Sequence, residues 1–331
     1  MAKKFLSLGL VLVLCFLCGC TGYRESDNSF IVSAMGFDKE GGNFTIFIEA
    51  VTANETEAEL KEETYEAHGE TLEAALYSLK NKIYKPLSFE HCSVILVSPN
   101  IAQKDMKNVV EFCKKTEELN TSVYFAATEE VEKIISADAF SEAAGGYDIS
   151  SLIESRDKED GISYKNRLYE LLSATDEFLP TFYLPFLKAD DDKFHTQGEL
   201  VYTDFSPSKK LNSDDSFILS VLTGRYGKGN VTLVGETAEI QDAHTYFKAE
   251  VKQNKLYINL NAKFRFKTRS EGFLKEFENR ARKLLESQKD IFSFSKILSQ
   301  KHPKEFLEIK ESYRGIYKNS DIVLKVEEEL F

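Results

Sequence analysis

The chain has 331 residues, is 42% hydrophobic and 29% charged, and carries 25 Phe and 15 Tyr but no Trp. That balance belongs to a globular chain with ample core material and excludes a disordered polymer. A net charge of −12, with no basic patch interleaved with aromatic residues, excludes nucleic acid as a partner.

Taken in chain order, Lys3 and Lys4 precede an apolar block of 13 residues, Phe5 to Leu17. A membrane-spanning helix needs about 20 residues, whereas the apolar core of a signal peptide has about 7–15. The block therefore reads as a leader. It ends in Leu17-Cys18-Gly19-Cys20, where a small residue directly before a cysteine resembles the bacterial lipobox, although Cys18 stands where alanine or serine is commoner. The resemblance implies cleavage between Gly19 and Cys20 and an N-palmitoyl, S-diacylglycerol cysteine at Cys20. One acyl chain holds a protein to a membrane only marginally, while two anchor it stably. Loss of Lys3 and Lys4 leaves 40 basic against 54 acidic side chains, a net charge of −14. That charge repels anionic head groups, so the lipid must do the holding. No later apolar run approaches about 20 residues, and the mature chain is expected to be an ectodomain outside the cytoplasm.

Residues 20–28 are polar and read as a tether. Two strand patterns follow, "SFIVSAMGFD" and "NFTIFIEAVTA", joined through Gly41-Gly42, a hairpin signal. The acidic stretch from Glu55 to Glu66 reads as a solvated excursion. Leu72, Ala75, Leu76, Leu79 and Ile83 share one helix face, with Thr71 as its cap and Pro86 beyond its end. Next come the strand "HCSVILVS", a helix presenting Met106, Val109, Val110 and Cys113, the strand "SVYFAAT" and a helix over about Glu129–Ser136. Residues 145–165 read as a polar, glycine-containing segment, with a short helix near Tyr164–Ser173. "DEFLPTFYLPF", with two prolines in an extended apolar run, reads as an inter-domain crossover.

Beyond it, "GELVYTD", "NVTLVGETAEI", "TYFKAEV" and "KLYINLNAKFRF" form successive strands joined by short polar turns. Helical patterns cover "SEGFLKEFENRARKLLESQKDIF" and "KHPKEFLEIKESYRGIY", and "SDIVLKVEEEL" is a last strand. The expected fold class is α+β and multi-domain: an N-terminal mixed sheet with flanking helices, then an antiparallel sheet packed with long helices. The expected division is a signal peptide at 1–19, the tether at 20–28, an N-terminal domain at 29–190 and a C-terminal domain at 191–331.

Catalytic constellations do not assemble. Ser293–Lys296 and Ser206–Lys209 both match S-x-x-K, but the only S-D-N, Ser26–Asn28, precedes both and no K-T-G follows. Arg225–Asn230, "RYGKGN", lacks the first glycine of a phosphate loop and has Gly229 at the Ser/Thr position, so it reads as a turn between strands. A calcium loop starting at Asp190 would need glycine and glutamate where His195 and Val201 stand. The five histidines have no ligand spacing, and the neighbours His91 and Cys92 on a strand would face opposite ways. No catalytic, metal or cofactor site is expected, and the chain is not expected to be an enzyme. Apart from Cys20, the mature chain has only Cys92 and Cys113, each in an apolar stretch. They read as buried free thiols rather than a disulfide.

Several stretches in a fixed order resemble the C-subunit family of spore germinant receptors, the Ger(x)C lipoproteins of endospore-forming bacteria. They are the lipobox with "TGYRESDNSFIVSAMGFDK", then "AHGETLEAALYSL", "LSFEHCSVILVSPNIA", "FLPTFYLPFL", "GELVYTD" and "ESQKDIFSFSKILSQKHPKEF". Together they cover about residues 17–330. Thr21 and Gly22 depart from the family's usual Trp-Asp, Phe306 and Tyr313 stand where tryptophans are common, and Ser295 stands where glycine is usual. The resemblance implies a non-catalytic, lipid-anchored receptor subunit on the outer face of the spore inner membrane, required for nutrient-triggered germination. It implies two integral-membrane partners, the receptor's A and B subunits, and carries over one residue, Cys20. The competing expectation is a solute-binding lipoprotein of a transporter, which would need two α/β lobes around a cleft.

Overall fold

The computed structural model describes residues 29–53, 60–137, 144–159, 161–164, 166–190, 193–253 and 255–329. Cys20, the leader, the tether and Ser26–Asn28 lie outside the described residues.

The chain opens with the expected hairpin. Strands β1 (Phe30–Glu40) and β2 (Asn43–Ala53) pair antiparallel through Gly41 and Gly42, whose φ values of 57° and 93° suit a turn that matches strand twist. β3 (Leu60–Gly69) adds to β2, so the end of the acidic stretch is an edge strand and not an excursion. Tyr65 and Ala67 alternate inward against Ile48 and Ile46 while Glu62, Glu63 and Glu66 share the edge. Charge on an edge discourages pairing with other chains.

A crossover through α1 (Leu72–Lys82) leads to the short β4 (Leu87–Ser88) and to β5 (Val94–Val97), both parallel to β1. Thr71 caps α1 as expected, its Oγ1 accepting from Ala74 N at 3.1 Å. Helix α2 (Gln103–Lys115), β6 (Tyr124–Ala127) and α3 (Val131–Ile135) follow. The polar, glycine-containing segment expected over 145–165 is a helix for most of its length, α4 (Gly145–Glu159), and α5 (Leu168–Ala174) comes next.

The expected crossover is instead β7 (Thr181–Asp190), a strand running parallel to β6 inside the same sheet, with Pro185 at a register shift where a missing N–H costs no ladder bond. It turns into β8 (Lys193–Thr203) and β9 (Ser206–Leu211), so the first sheet runs β3-β2-β1-β5-β6-β7-β8-β9 with β4 beside β1. The division expected at 190/191 falls at the tip of this hairpin, where Asp190 pairs with Lys193.

Between the two sheets the chain forms α6 (Ser213–Leu222), capped by Asn212, where turns between strands were expected. Arg225–Asn230 accordingly joins a helix to a strand. The second sheet follows the order β10 (Gly229–Leu233), β11 (Glu236–Lys252), β12 (Lys255–Arg269), β13 (Asp321–Glu328). "NVTLVGETAEI" is a hairpin rather than one strand, and its second arm continues through "TYFKAEV" as β11. β13 is parallel to β12, which corrects the expected all-antiparallel sheet. The connection between them carries α7 (Phe273–Leu285), α8 (Phe294–Lys301), α9 (Pro303–Ile309) and α10 (Tyr313–Lys318), and that return brings the chain in from the same end.

Strand alternation sorts the core into two clusters. On one face of the first sheet, Met35, Phe37, Ile95, Val97, Phe125 and Phe186 pack under α1, α2 and α5. On the other face, Ala34, Val94, Leu96, Tyr183 and Leu187 meet α3 and α4. This second cluster does not stop at the first sheet. It continues through Phe217 on α6 to Ile258, Phe264, Phe273 and Phe277 of the second sheet and α7. Phe264 and Phe277 meet edge-on at 4.8 Å, and Phe217 meets Tyr226 at 5.0 Å. Such pairs add about 0.5–1.5 kcal/mol beyond their area burial.

Candidate functional site

Among the described residues three buried carboxylates, Glu49, Glu199 and Asp290, mark where the fold does something specific. Glu49, 2% exposed on β2, accepts from Gly145 N at 3.0 Å, from Gly146 N at 2.8 Å and from the Ser33 hydroxyl. It supplies from a distant strand the anion that a helix N-terminus favours. A Cβ on Gly146 would meet the Ser33 carbonyl oxygen at 2.4 Å, so glycine is what lets α4 start this close to β1.

Glu199, on β8, faces Arg225 just beyond α6. Their side chains are 0% and 1% exposed, and the guanidinium donates both arms at 3.1 and 3.0 Å. Arg225 Nε donates to Thr223 Oγ1 at 3.0 Å and Nη1 to the Ser163 carbonyl at 3.3 Å, while the planar cation lies 3.6 Å from the centre of the Tyr183 ring. Burial lifts the Glu199 carboxyl above its ordinary range, and Arg225 pulls against that shift.

Tyr183 carries the chain of contacts onward. Its hydroxyl donates to the Ile291 carbonyl at 3.1 Å and lies 3.2 Å from Ser293 Oγ. Burial pushes this phenol up to about 12, so it stays a donor. Asp290 stands next in line, accepting from Phe294 N at 2.9 Å, Ser295 N at 2.8 Å and the Tyr313 hydroxyl at 2.8 Å. Burial lifts its carboxyl too, and the three donors oppose the lift. Glu199, Arg225, Tyr183, Asp290 and Tyr313 thus form one polar seam from the first sheet to the C-terminal helices.

Cavities flank the seam. One of about 280 Å³ is lined by Asp290, Tyr313, Arg314 and Tyr317, and Arg314 closes on Asp204 at 2.7 Å. Another of about 350 Å³ is lined by Arg225, Ser293 and Lys296. Lys296 pairs with Glu177 at 2.6 Å, so the Ser293–Lys296 match is not a nucleophile and its base. Ser206–Lys209 lies along β9, where residues three apart point to opposite faces. Among the described residues no group of three or more His, Cys, Asp or Glu side chains is placed to hold a metal ion. Asp190 pairs with His195 at 3.7 Å, and Cys92 and Cys113 are free and buried. What the arrangement does is hold two halves together. Sequence reasoning passed over Glu199 and Asp290 and read Arg225 only as the first residue of a turn. The signal was there in Glu199, a lone acid inside the apolar strand "GELVYT".

The comparisons with known proteins agree in kind. Residues 22–189 match the spore germination protein N-terminal domain, and residues 207–330 match the spore germination B3/GerAC-like C-terminal domain. The chain belongs to this family of spore germination proteins, the C subunits of germinant receptors. Among solved structures it is similar to the GerBC protein, with a TM-score of 0.53 and 14% identity over 89% of this chain and 96% of that one. At that identity the likeness shows a shared fold. No curated protein matches the chain. Among the described residues no helix is long and apolar enough to cross a membrane.

Proposed function

We propose that this protein is the lipid-anchored, non-catalytic C subunit of a nutrient germinant receptor. Its leader, residues 1–19, is removed, Cys20 carries the lipid, and residues 20–28 tether the body to the outer face of the spore inner membrane. It works by contact with the receptor's A and B integral-membrane subunits. The observation that carries this reading is the pair of family matches, over residues 22–189 and 207–330. The buried carboxylates support the non-catalytic part, because each spends its hydrogen bonds on the fold. The solute-binding alternative loses its footing, since the two sheets share a continuous core instead of facing each other across a cleft.

The test is genetic. In spores that keep this receptor alone, deletion of the chain is expected to abolish germination on the receptor's nutrient. Cys20→Ala is expected to abolish or weaken it. An unchanged response in both strains contradicts the proposal.

A further inference from the structure

The first described strand is pinned where it begins. Phe30 N donates to the Pro86 carbonyl at 2.9 Å, and the Phe30 backbone pairs with Leu87. The Phe30 ring meets the Tyr84 ring edge-on at 5.3 Å, with Lys85 Nζ 5.7 Å from its centre. Traced toward its N-terminus, the chain therefore leaves the body beside residues 84–88. Eight residues lie between Cys20 and Ser29, which makes nine residue-to-residue steps. At most about 3.3–3.6 Å per residue, that is a leash of ~30 Å.

Beside this exit lies a groove of about 740 Å³ between α1 and α2, floored in part by Leu76 and Phe112. Its rim carries Lys80, Lys85 and Lys115 together with Glu73, Glu117 and Glu118. Tyr84 is 78% exposed and Tyr77 69%, the two highest values for large hydrophobic side chains among the described residues. Tyr77 shares a helix face with Lys80, three residues on. A tyrosine has an apolar body and a polar tip, and a lysine can bury its stem while its head stays wet. Both are suited to the boundary between lipid and water. Lysines are drawn to head-group phosphates, and a rim of both signs also fits the amines of zwitterionic lipids.

We propose that this end of the molecule sits on the lipid head groups, with Tyr84 entering the interface beside the tether's point of exit. The proposal rests on the reading of Cys20 as the anchor. The second sheet shares its core with the opposite face of the first sheet, the face under α3 and α4. Tyr246, 55% exposed on β11, therefore stands on the far side of the body. A net charge of −14 keeps the rest of the surface away from anionic lipid. The short leash then fixes not only where the protein is held but which way it faces.

The absence of tryptophan supplies the probe. Full-length, lipidated Tyr84→Trp and Tyr246→Trp proteins are placed on vesicles of phosphatidylethanolamine and phosphatidylglycerol with brominated acyl chains. Flotation and tryptophan emission are read from the same samples. Both proteins are expected to float. Tyr84→Trp loses most of its emission, whereas Tyr246→Trp keeps it. Adding Lys80→Glu and Lys85→Glu to the Tyr84→Trp protein restores emission without releasing the protein from the vesicles. Flotation with Tyr84→Trp unquenched, or with Tyr246→Trp quenched as strongly, overturns the docking face and leaves the anchor standing. Quenching unchanged by the two charge reversals overturns the role given to the lysines. Failure to float overturns the anchor and the docking face with it.

Discussion

Cys92, just ahead of β5, and Cys113, on α2, lie in the same core cluster, each enclosed by aliphatic and aromatic neighbours. Burial pushes the Cys92 thiol up to about 12, and burial beside Cys92 raises Cys113 further above the ordinary thiol range. Only the thiolate is a good nucleophile. Native protein is therefore expected to leave both thiols unlabelled by a disulfide exchange reagent, with no gain in rate between pH 7 and pH 9, and to expose both in denaturant. The sign for stability follows. A thiol that stays protonated in the fold but ionises in the unfolded chain binds more protons when folded. Stability thus falls as pH rises above the ordinary thiol pKa, by about 1.4 kcal/mol per pH unit for each fully affected group. Rapid native labelling of either cysteine, rising tenfold per pH unit, contradicts this burial.

At the level of elements, legibility followed how local each cause was. The β1–β2 turn, the Thr71 cap and the stripes on α1 and α2 are written in adjacent residues, and sequence reasoning placed them. Helix α4 was missed because what stabilises its start is Glu49, 96 positions away, while Gly145-Gly146 signals a loop locally. Helix α6 was missed because "FILSVL", buried on every side, has no polar face to reveal a helical period. The prolines of "FLPTFYLPF" looked like a linker, yet Pro185 sits at a ladder irregularity inside β7. The seam is the plainest case of a cause that only folding assembles, since Glu199 and Arg225 come from different elements. Glu199→Gln leaves the Arg225 charge buried and unpaired, which costs about 3–5 kcal/mol. Replacing both, with Glu199→Gln and Arg225→Met, is expected to recover part of that loss in urea unfolding. A single-variant cost under about 1 kcal/mol contradicts the assignment of this pair as the lock between β8 and α6.

For the whole molecule, the family models divide the chain in two, whereas the core cluster runs through both parts without a break. The edge-on contacts of Phe178 with Phe306 and Tyr313, and the polar seam, cross the same junction. The described body is therefore expected to unfold in one cooperative transition, with calorimetric and van't Hoff enthalpies equal. Two resolved transitions contradict a shared core. One shared core also suits the proposed task, which is to meet membrane partners in one orientation. That account depends on the leash ending in lipid. The most direct measurement is the intact mass of the protein extracted from spore membranes, together with its N-terminal peptide. The account predicts a chain that begins at Cys20 and carries a diacylglyceryl group and an amide-linked acyl chain. A chain that still carries residues 1–19, or one that begins at an unmodified cysteine, contradicts it.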